Sequence, residues 1–353
     1  MTRGRVLVTG GAGYIGSHCV VELVNAGFTV AIADNLCNSS AVCIDRLRII
    51  TGKPDAISFH LVDVCDSEAF EREVFQKYSE PFVAAMHFAS LKAVGESIAI
   101  PLKYYSNNLK SIFSLLELME KYKCFKIVFS SSATVYGTAS VPYTEESPAG
   151  IGITNPYGQT KFMIEQILKD FFASMVKSSN PWSISILRYF NPVGAHSSGL
   201  IGEDPMGIPN NLMPYIAQVS VGRLPFLKIY GKDYETCDGT GVRDYIHVVD
   251  LATGHLAALD HLVRCHPTLD VYNLGSGNGI SVLQLLKAME EACGHPLKYE
   301  FVDRRPGDLA VSYSKAEKAK IELGWEMFKT CVKIPGAGRA RIPKCIETLF
   351  QTR

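Results

Sequence analysis

Arg5-Val6-Leu7-Val8-Thr9 runs straight into Gly10-Gly11-Ala12-Gly13-Tyr14-Ile15-Gly16. The first five residues read as a buried strand, because a short β-branched apolar run ends abruptly in glycine. An amphipathic helical pattern follows through Ala26. Gly11, Gly13 and Gly16 match the G-x-G-x-x-G spacing, while Gly10, Gly13 and Gly16 recur every three residues. Glycines are needed where a tight turn lets a pyrophosphate approach the backbone at a helix N-terminus. The context strengthens the pattern: a second strand, Phe28 to Ala33, ends in Asp34, 18 residues past Gly16. A carboxylate there accepts hydrogen bonds from an adenosine ribose and repels a 2′-phosphate, so the expected cofactor is NAD rather than NADP.

Working outward, strands are expected at Ile57 to Val62 and Pro81 to Ala89, a helix at Leu102 to Lys121, and a further strand at Phe125 to Phe129. This alternation predicts an α/β fold with a doubly wound parallel sheet of the Rossmann type. Asp63 and Val64 then follow a strand end on the adenine side, and Phe88, Ala89 and Lys92 lie towards the pyrophosphate. Trp182 to Leu187 is another strand, after which a Gly/Pro-rich stretch from Gly194 to Pro214 suggests a boundary. The expected division is a cofactor domain over 1–190, with contributions from about 240–275, and a smaller α/β substrate domain over 191–353.

Chemistry is expected between Ser130 and Lys161. Ser130-Ser131-Ser132-Ala133-Thr134 closes the Phe125 strand, where open α/β sheets place ligands. Pro156 opens a helical pattern in which Tyr157 and Lys161, four residues apart, share one face. A phenol beside an ammonium has its phenolate favoured, and an oxidised nicotinamide would favour it further, bringing a group with a free pKa of about 10 towards neutrality. Tyr157 is thereby a candidate general base.

Bulk properties narrow the partners. Lys+Arg and Asp+Glu number 35 each, which gives no sign of a nucleic-acid partner. No apolar run approaches the roughly 18 residues of a membrane span, and Met1 to Gly4 is too short for a signal peptide, so a cytoplasmic protein is expected. Ten cysteines lack any Cys-x-x-Cys pair and nine histidines lack ligand spacing, so no metal is expected.

These segments together resemble the extended short-chain dehydrogenases/reductases and, more narrowly, the UDP-galactose (UDP-glucose) 4-epimerase family, over about Arg5 to Trp325. The resemblance rests on Gly10 to His18, Phe88-Ala89 with Leu91-Lys92-Ala93-Val94-Gly95-Glu96-Ser97, Ser130 to Gly137, and Asn155-Pro156-Tyr157-Gly158. It continues through Leu187 to Pro192, Gly202-Glu203-Asp204-Pro205 and Asp238 to Leu251. It implies that Tyr157 removes the sugar 4-OH proton as hydride leaves C4, that Ser132 bonds the same oxygen, and that Lys161 holds the nicotinamide ribose. The 4-keto sugar then turns and takes hydride on its other face, with NAD retained.

The same resemblance adds Tyr14, Ile15, Asn35, Asn108 and Tyr189 to the cofactor contacts. For a UDP-hexose it implies Lys92, Ala133, Thr134, Phe190, Asn191, Asn211, Leu212, Lys228, Tyr230, Arg243, Arg305 and Asp308, with the two arginines meeting the diphosphate. Ser312, four residues after Asp308, stands where a tyrosine goes with rejection of N-acetylated sugars in the family; a small residue implies acceptance. A homodimer packed through Leu102–Lys121 and Tyr157–Phe172 is implied too. Ser90 and Pro306 depart from the usual glycine and acid, and 327–353 lacks the expected C-terminal pattern. A 4,6-dehydratase would need an Asp-Glu pair where Ala133-Thr134 stand, a net dehydrogenase would need exchangeable NAD, and a non-catalytic NAD-sensing protein would not need Ser132, Tyr157 and Lys161 together.

Overall fold

The computed structural model describes residues 2–328 apart from 177, 206 and 208, so the expectation about the tail at 327–353 falls almost wholly outside the described residues. Seven parallel strands form the central sheet: β1 (Arg5–Thr9), β2 (Thr29–Asp34), β3 (Ile57–Leu61), β4 (Ala84–His87), β5 (Lys126–Ser132), β6 (Ser183–Tyr189) and β10 (Thr268–Leu274), in the order β3-β2-β1-β4-β5-β6-β10. The order reverses between β1 and β4, which opens a crevice at their carboxyl ends. The doubly wound Rossmann architecture is therefore present.

Side chains of a strand alternate between faces, and each face here has its own core. Val6 and Val8 pack with α1 (Tyr14–Asn25), α2 (Val42–Thr51) and α8 (Val248–Arg264). Leu7, Ile127 and Phe129 pack on the other side with α3 (Ser67–Glu73), α5 (Pro101–Lys121) and α6 (Pro156–Met175). α4 (Val94–Ala99) links β4 to α5. The strand expected over Pro81 to Ala89 is only four residues long, although Phe88 still donates its N–H to Thr9 O at 3.0 Å.

A second, smaller layer is built around β9 (Val242–His247). It pairs with β7 (Asn191–Val193) and β13 (Val311–Ser312) in parallel and with β11 (Gly279–Ser281) antiparallel. β8 (Leu227–Tyr230) and β12 (Tyr299–Val302) form a separate parallel pair, and α7 (Leu212–Ser220) and α9 (Val282–Cys293) close a third core against them. α10 (Glu317–Leu323) returns to α8, where Ala319, Leu323 and Trp325 join the first core. The strands missed from sequence, β7, β11, β12 and β13, are two to four residues long and too short to show a period. Among the described residues no helix is long and apolar enough to cross a membrane.

Candidate active site

The glycine turn leaves no room for side chains. Gly10 has φ +71, and a Cβ on it would lie 2.7 Å from Ala89 N; one on Gly16 would lie 2.3 Å from Gly10 O. Gly13 caps α1 without a side chain, so its first turn, Tyr14 to Gly16, keeps a bare main-chain rim. Asp34, buried at the end of β2, accepts from Ala12 N (3.0 Å), Leu36 N (2.9 Å) and Ser39 Oγ (2.9 Å). It thus fixes the loop beside the glycine turn. Asn35 donates to Asp63 at 3.3 Å next to buried Val64. A helix N-terminus with no side-chain cap and a carboxylate at the next strand end fits a dinucleotide. The Tyr14 hydroxyl reaches across to Gly194 O at 2.7 Å, tying the turn to the second layer.

α6 begins where the sequence places it. Asn155 accepts from Gly158 N at 2.8 Å and Pro156 occupies the first turn, so Tyr157 and Lys161 project from the helix start. Tyr157, Lys161 and Ser132 are all buried. Lys161 Nζ donates to Ser130 O at 2.8 Å and lies 5.8 Å from the Tyr157 ring centroid. Ser132 Oγ accepts from Thr134 Oγ1 at 3.0 Å, and the Ser132 hydroxyl is near enough to the Tyr157 phenol to favour its ionised form.

The electrostatics correct one expectation. Burial pushes the Tyr157 phenol up to about 12, with the nearby Ser132 hydroxyl pulling it down less strongly. Burial also brings Lys161 down to about 7. Desolvation penalises both charged forms, and the ammonium's hydrogen bond goes to the neutral Ser130 carbonyl, so the protein alone does not make Tyr157 acidic. His87 is likewise held neutral at about 3 by burial and then by Lys161.

Two residues support this centre: Glu165, which escaped the sequence reading, and Asn108, which was expected only as a cofactor contact. Glu165, one turn beyond Lys161, accepts from Ser131 Oγ (2.6 Å) and in fork geometry from Arg188 (2.9 and 2.6 Å). Their side chains are 0% and 3% exposed. A carboxylate four residues after Lys161, on the buried face, was the available signal. Asn108 holds Leu91 through both its amide atoms and reaches Thr160 Oγ1 at 3.0 Å, fixing the loop after β4 to α6. The Tyr189 hydroxyl bonds Ser130 Oγ, and Phe88 packs on His255.

The residues expected to meet substrate fall into two groups. Arg305 pairs with Asp308 (2.8 and 3.3 Å), stacks 4.7 Å from the Tyr230 ring centroid, and Arg243 approaches the same carboxylate at 4.0 Å. Lys92 and Asn211 meet at Glu203, at 3.3 and 2.7 Å, which brings the loop after β4 to the start of α7 and Leu212. Lys228 is exposed on the same face of β8 as Tyr230. Asn191 donates to Asp244 O at 3.1 Å, Phe190 is buried against Tyr143, and Ser312 lies opposite Arg243 in the β13–β9 pairing. Ala133 and Thr134 form a short turn directly after Ser132.

The family model described as GDP-mannose 4,6 dehydratase matches residues 7–333. The chain is 57% identical over 322 residues to UDP-glucose 4-epimerase of Bacillus subtilis, covering 91% of each, and 54% identical to UDP-glucose 4-epimerase 2 of Arabidopsis thaliana, covering 91% of this chain and 90% of the other. It is also similar to the crystal structure of UDP-glucose 4-epimerase from Bifidobacterium longum in complex with NAD+ and UDP. That match has a TM-score of 0.89 and 50% identity, covering 99% of this chain and 97% of that one.

Proposed function

The chain belongs to the UDP-glucose 4-epimerases of the extended short-chain dehydrogenase/reductase family, and from that premise we propose how its own residues carry the reaction. The enzyme interconverts UDP-galactose and UDP-glucose at C4, with NAD as its cofactor. The observation that carries the residue assignment is the buried Ser132, Tyr157 and Lys161 constellation, with Lys161 Nζ held by the Ser130 carbonyl 5.8 Å from the Tyr157 ring centroid.

Tyr157 accepts the proton of the sugar 4-OH, and Ser132 steadies that oxygen. When bound, NAD supplies a reversible hydride acceptor for C4 and a positive ring that favours the phenolate. Lys161, oriented by the Ser130 carbonyl, meets the nicotinamide ribose. Gly10, Gly13, Tyr14, Ile15, Gly16, Phe88 and Ala89 receive the pyrophosphate, and Asp34, Asn35, Asp63 and Val64 the adenosine. Arg243, Arg305 and Lys92 neutralise the uridine diphosphate while the 4-keto sugar turns over between Ser132 and Phe190. Residues 1–190 with about 240–275 serve the cofactor in this reading, and 191 onward the UDP-sugar.

The dehydratase description of the family model does not carry over to the chemistry. Elimination needs an acid and a base after Ser132, and Ala133 and Thr134 supply neither. Purified protein incubated with UDP-galactose without added NAD should yield UDP-glucose with no free NADH; a 4-keto-6-deoxy product or NADH release overturns the reading.

Ser312 is small where the family's rejection of N-acetylated sugars goes with a tyrosine, so UDP-N-acetylgalactosamine is a second substrate. Ser312→Tyr should abolish its turnover and keep that of UDP-galactose; wild-type protein inert towards it at saturation removes the proposal. The protein works in the cytoplasm as a homodimer. Exposed Leu102 and Phe113 of α5 and Met163 of α6 provide an apolar face, and light scattering reads the assembly.

A further inference from the structure

Asp244 sits in β9 directly after Arg243, and its side chain is fully buried. Five donors converge on it. Oδ1 accepts from Ser276 N (2.7 Å) and Ser276 Oγ (2.5 Å), and Oδ2 accepts from Gly277 N (3.1 Å), Ser314 N (3.1 Å) and Ser314 Oγ (2.7 Å). The donors come from two segments 32 and 70 residues away, the loop after β10 and the stretch after β13. A neutral side chain cannot accept from so many groups, since only a carboxylate offers about four lone-pair sites and no hydrogen.

The surroundings show that the carboxylate's fit is constrained. A Cβ on Gly275 would lie 2.2 Å from Ser314 Oγ, 2.6 Å from Asp244 Oδ2 and 3.0 Å from Phe190. The loop can therefore close over the carboxylate only without a side chain there. Four residues assigned above to the UDP-sugar adjoin this knot: Arg243 precedes it, Asn191 donates to its carbonyl, Ser312 stands two residues before Ser314 and pairs with Arg243 across β13 and β9, and Phe190 abuts Gly275. None of the five bonds touches Ser132, Tyr157 or Lys161.

We propose that Asp244 is a positioning residue of the sugar-nucleotide side: its buried carboxylate holds β9, the loop after β10 and Ser314 in one register, and so sets the spacing of Arg243, Asn191 and Ser312. This rests on the substrate assignment above. Its action is on binding rather than on proton transfer, so the effect falls on KM.

The test is Asp244→Asn in the full chain, with kcat and KM for UDP-galactose, affinity for UDP alone by calorimetry, and the bound NAD per subunit. The expected result is a KM raised about tenfold or more, UDP affinity lowered in parallel, kcat within about threefold and NAD content unchanged. An unchanged KM, or a fall in kcat with KM intact, overturns the proposal. If Asp244→Asn does not fold, Ser314→Ala and Ser276→Ala remove one side-chain donor each and should raise KM in smaller steps; no rise in either overturns it. Wild-type protein that fails to turn over UDP-galactose at all would instead sink the underlying assignment.

Discussion

Two ion pairs in this molecule have the same chemistry and opposite settings. Glu165 and Arg188 are buried at 0% and 3% exposure under the catalytic strand, whereas Arg305 and Asp308 are 49% and 18% exposed beside Tyr230. A buried pair is strongly destabilising to break, because one charge is stranded without water. An exposed pair contributes little and can be exchanged for another anion at small cost. In the reaction proposed above, the catalytic side would then stay as it is, and the side assigned to the nucleotide would trade partners when a diphosphate arrives.

The largest expected effect tests the fixed side at its reacting group. Tyr157→Phe should lower kcat by about 10²–10⁴-fold while bound NAD is retained, measured by turnover and by the cofactor released on denaturation. Full activity in that variant would mean another group moves the proton.

Next comes the framework beneath it. Glu165→Ala should cost about 3–5 kcal/mol of stability in denaturant unfolding, because Arg188 and Ser131 lose their common acceptor. Arg305→Ala should change stability by under about 1 kcal/mol yet raise the KM for UDP-galactose about tenfold. If the two variants destabilise equally, the contrast between the sides is wrong.

The smallest effect concerns Lys161. Its folded pKa, about 7, lies below the unfolded value of roughly 10.4, so the unfolded chain holds the proton more tightly between those limits. Stability of the cofactor-free protein from this group therefore falls as pH drops from about 10 to 7 and is lowest below 7. Lys161→Met should be inactive but melt at or above the wild type, with the gap widening down to about pH 7 and then constant. A gap that shrinks on acidification would contradict the buried, neutralised lysine.

Legibility in the sequence follows from how local each signal is. Gly10 to Gly16 with Asp34 announced the Rossmann-type fold, since strand, turn and helix lie within one βαβ unit, and the spacing of Tyr157 and Lys161 is a property of a single helix. Arg188, the one charge in a fully buried strand, is a hint of a buried partner, and Glu165 answers it. Asp244 could not be read, because its meaning is supplied by Ser276 and Ser314 from other parts of the chain. Nor could the acidity of Tyr157, which depends on how fully the fold excludes water and not on the identity of its neighbour four residues away.

One connection constrains how inversion at a carbon is achieved. β6 of the central sheet ends at Tyr189 and β7 of the second layer starts at Asn191, with only the buried Phe190 between them, and β9 passes into α8 without any intervening residue. Junctions this short leave no slack for one lobe to swing against the other. In the proposed reaction, presenting the opposite side of the hexose therefore falls to the ligand's own glycosyl and phosphate torsions.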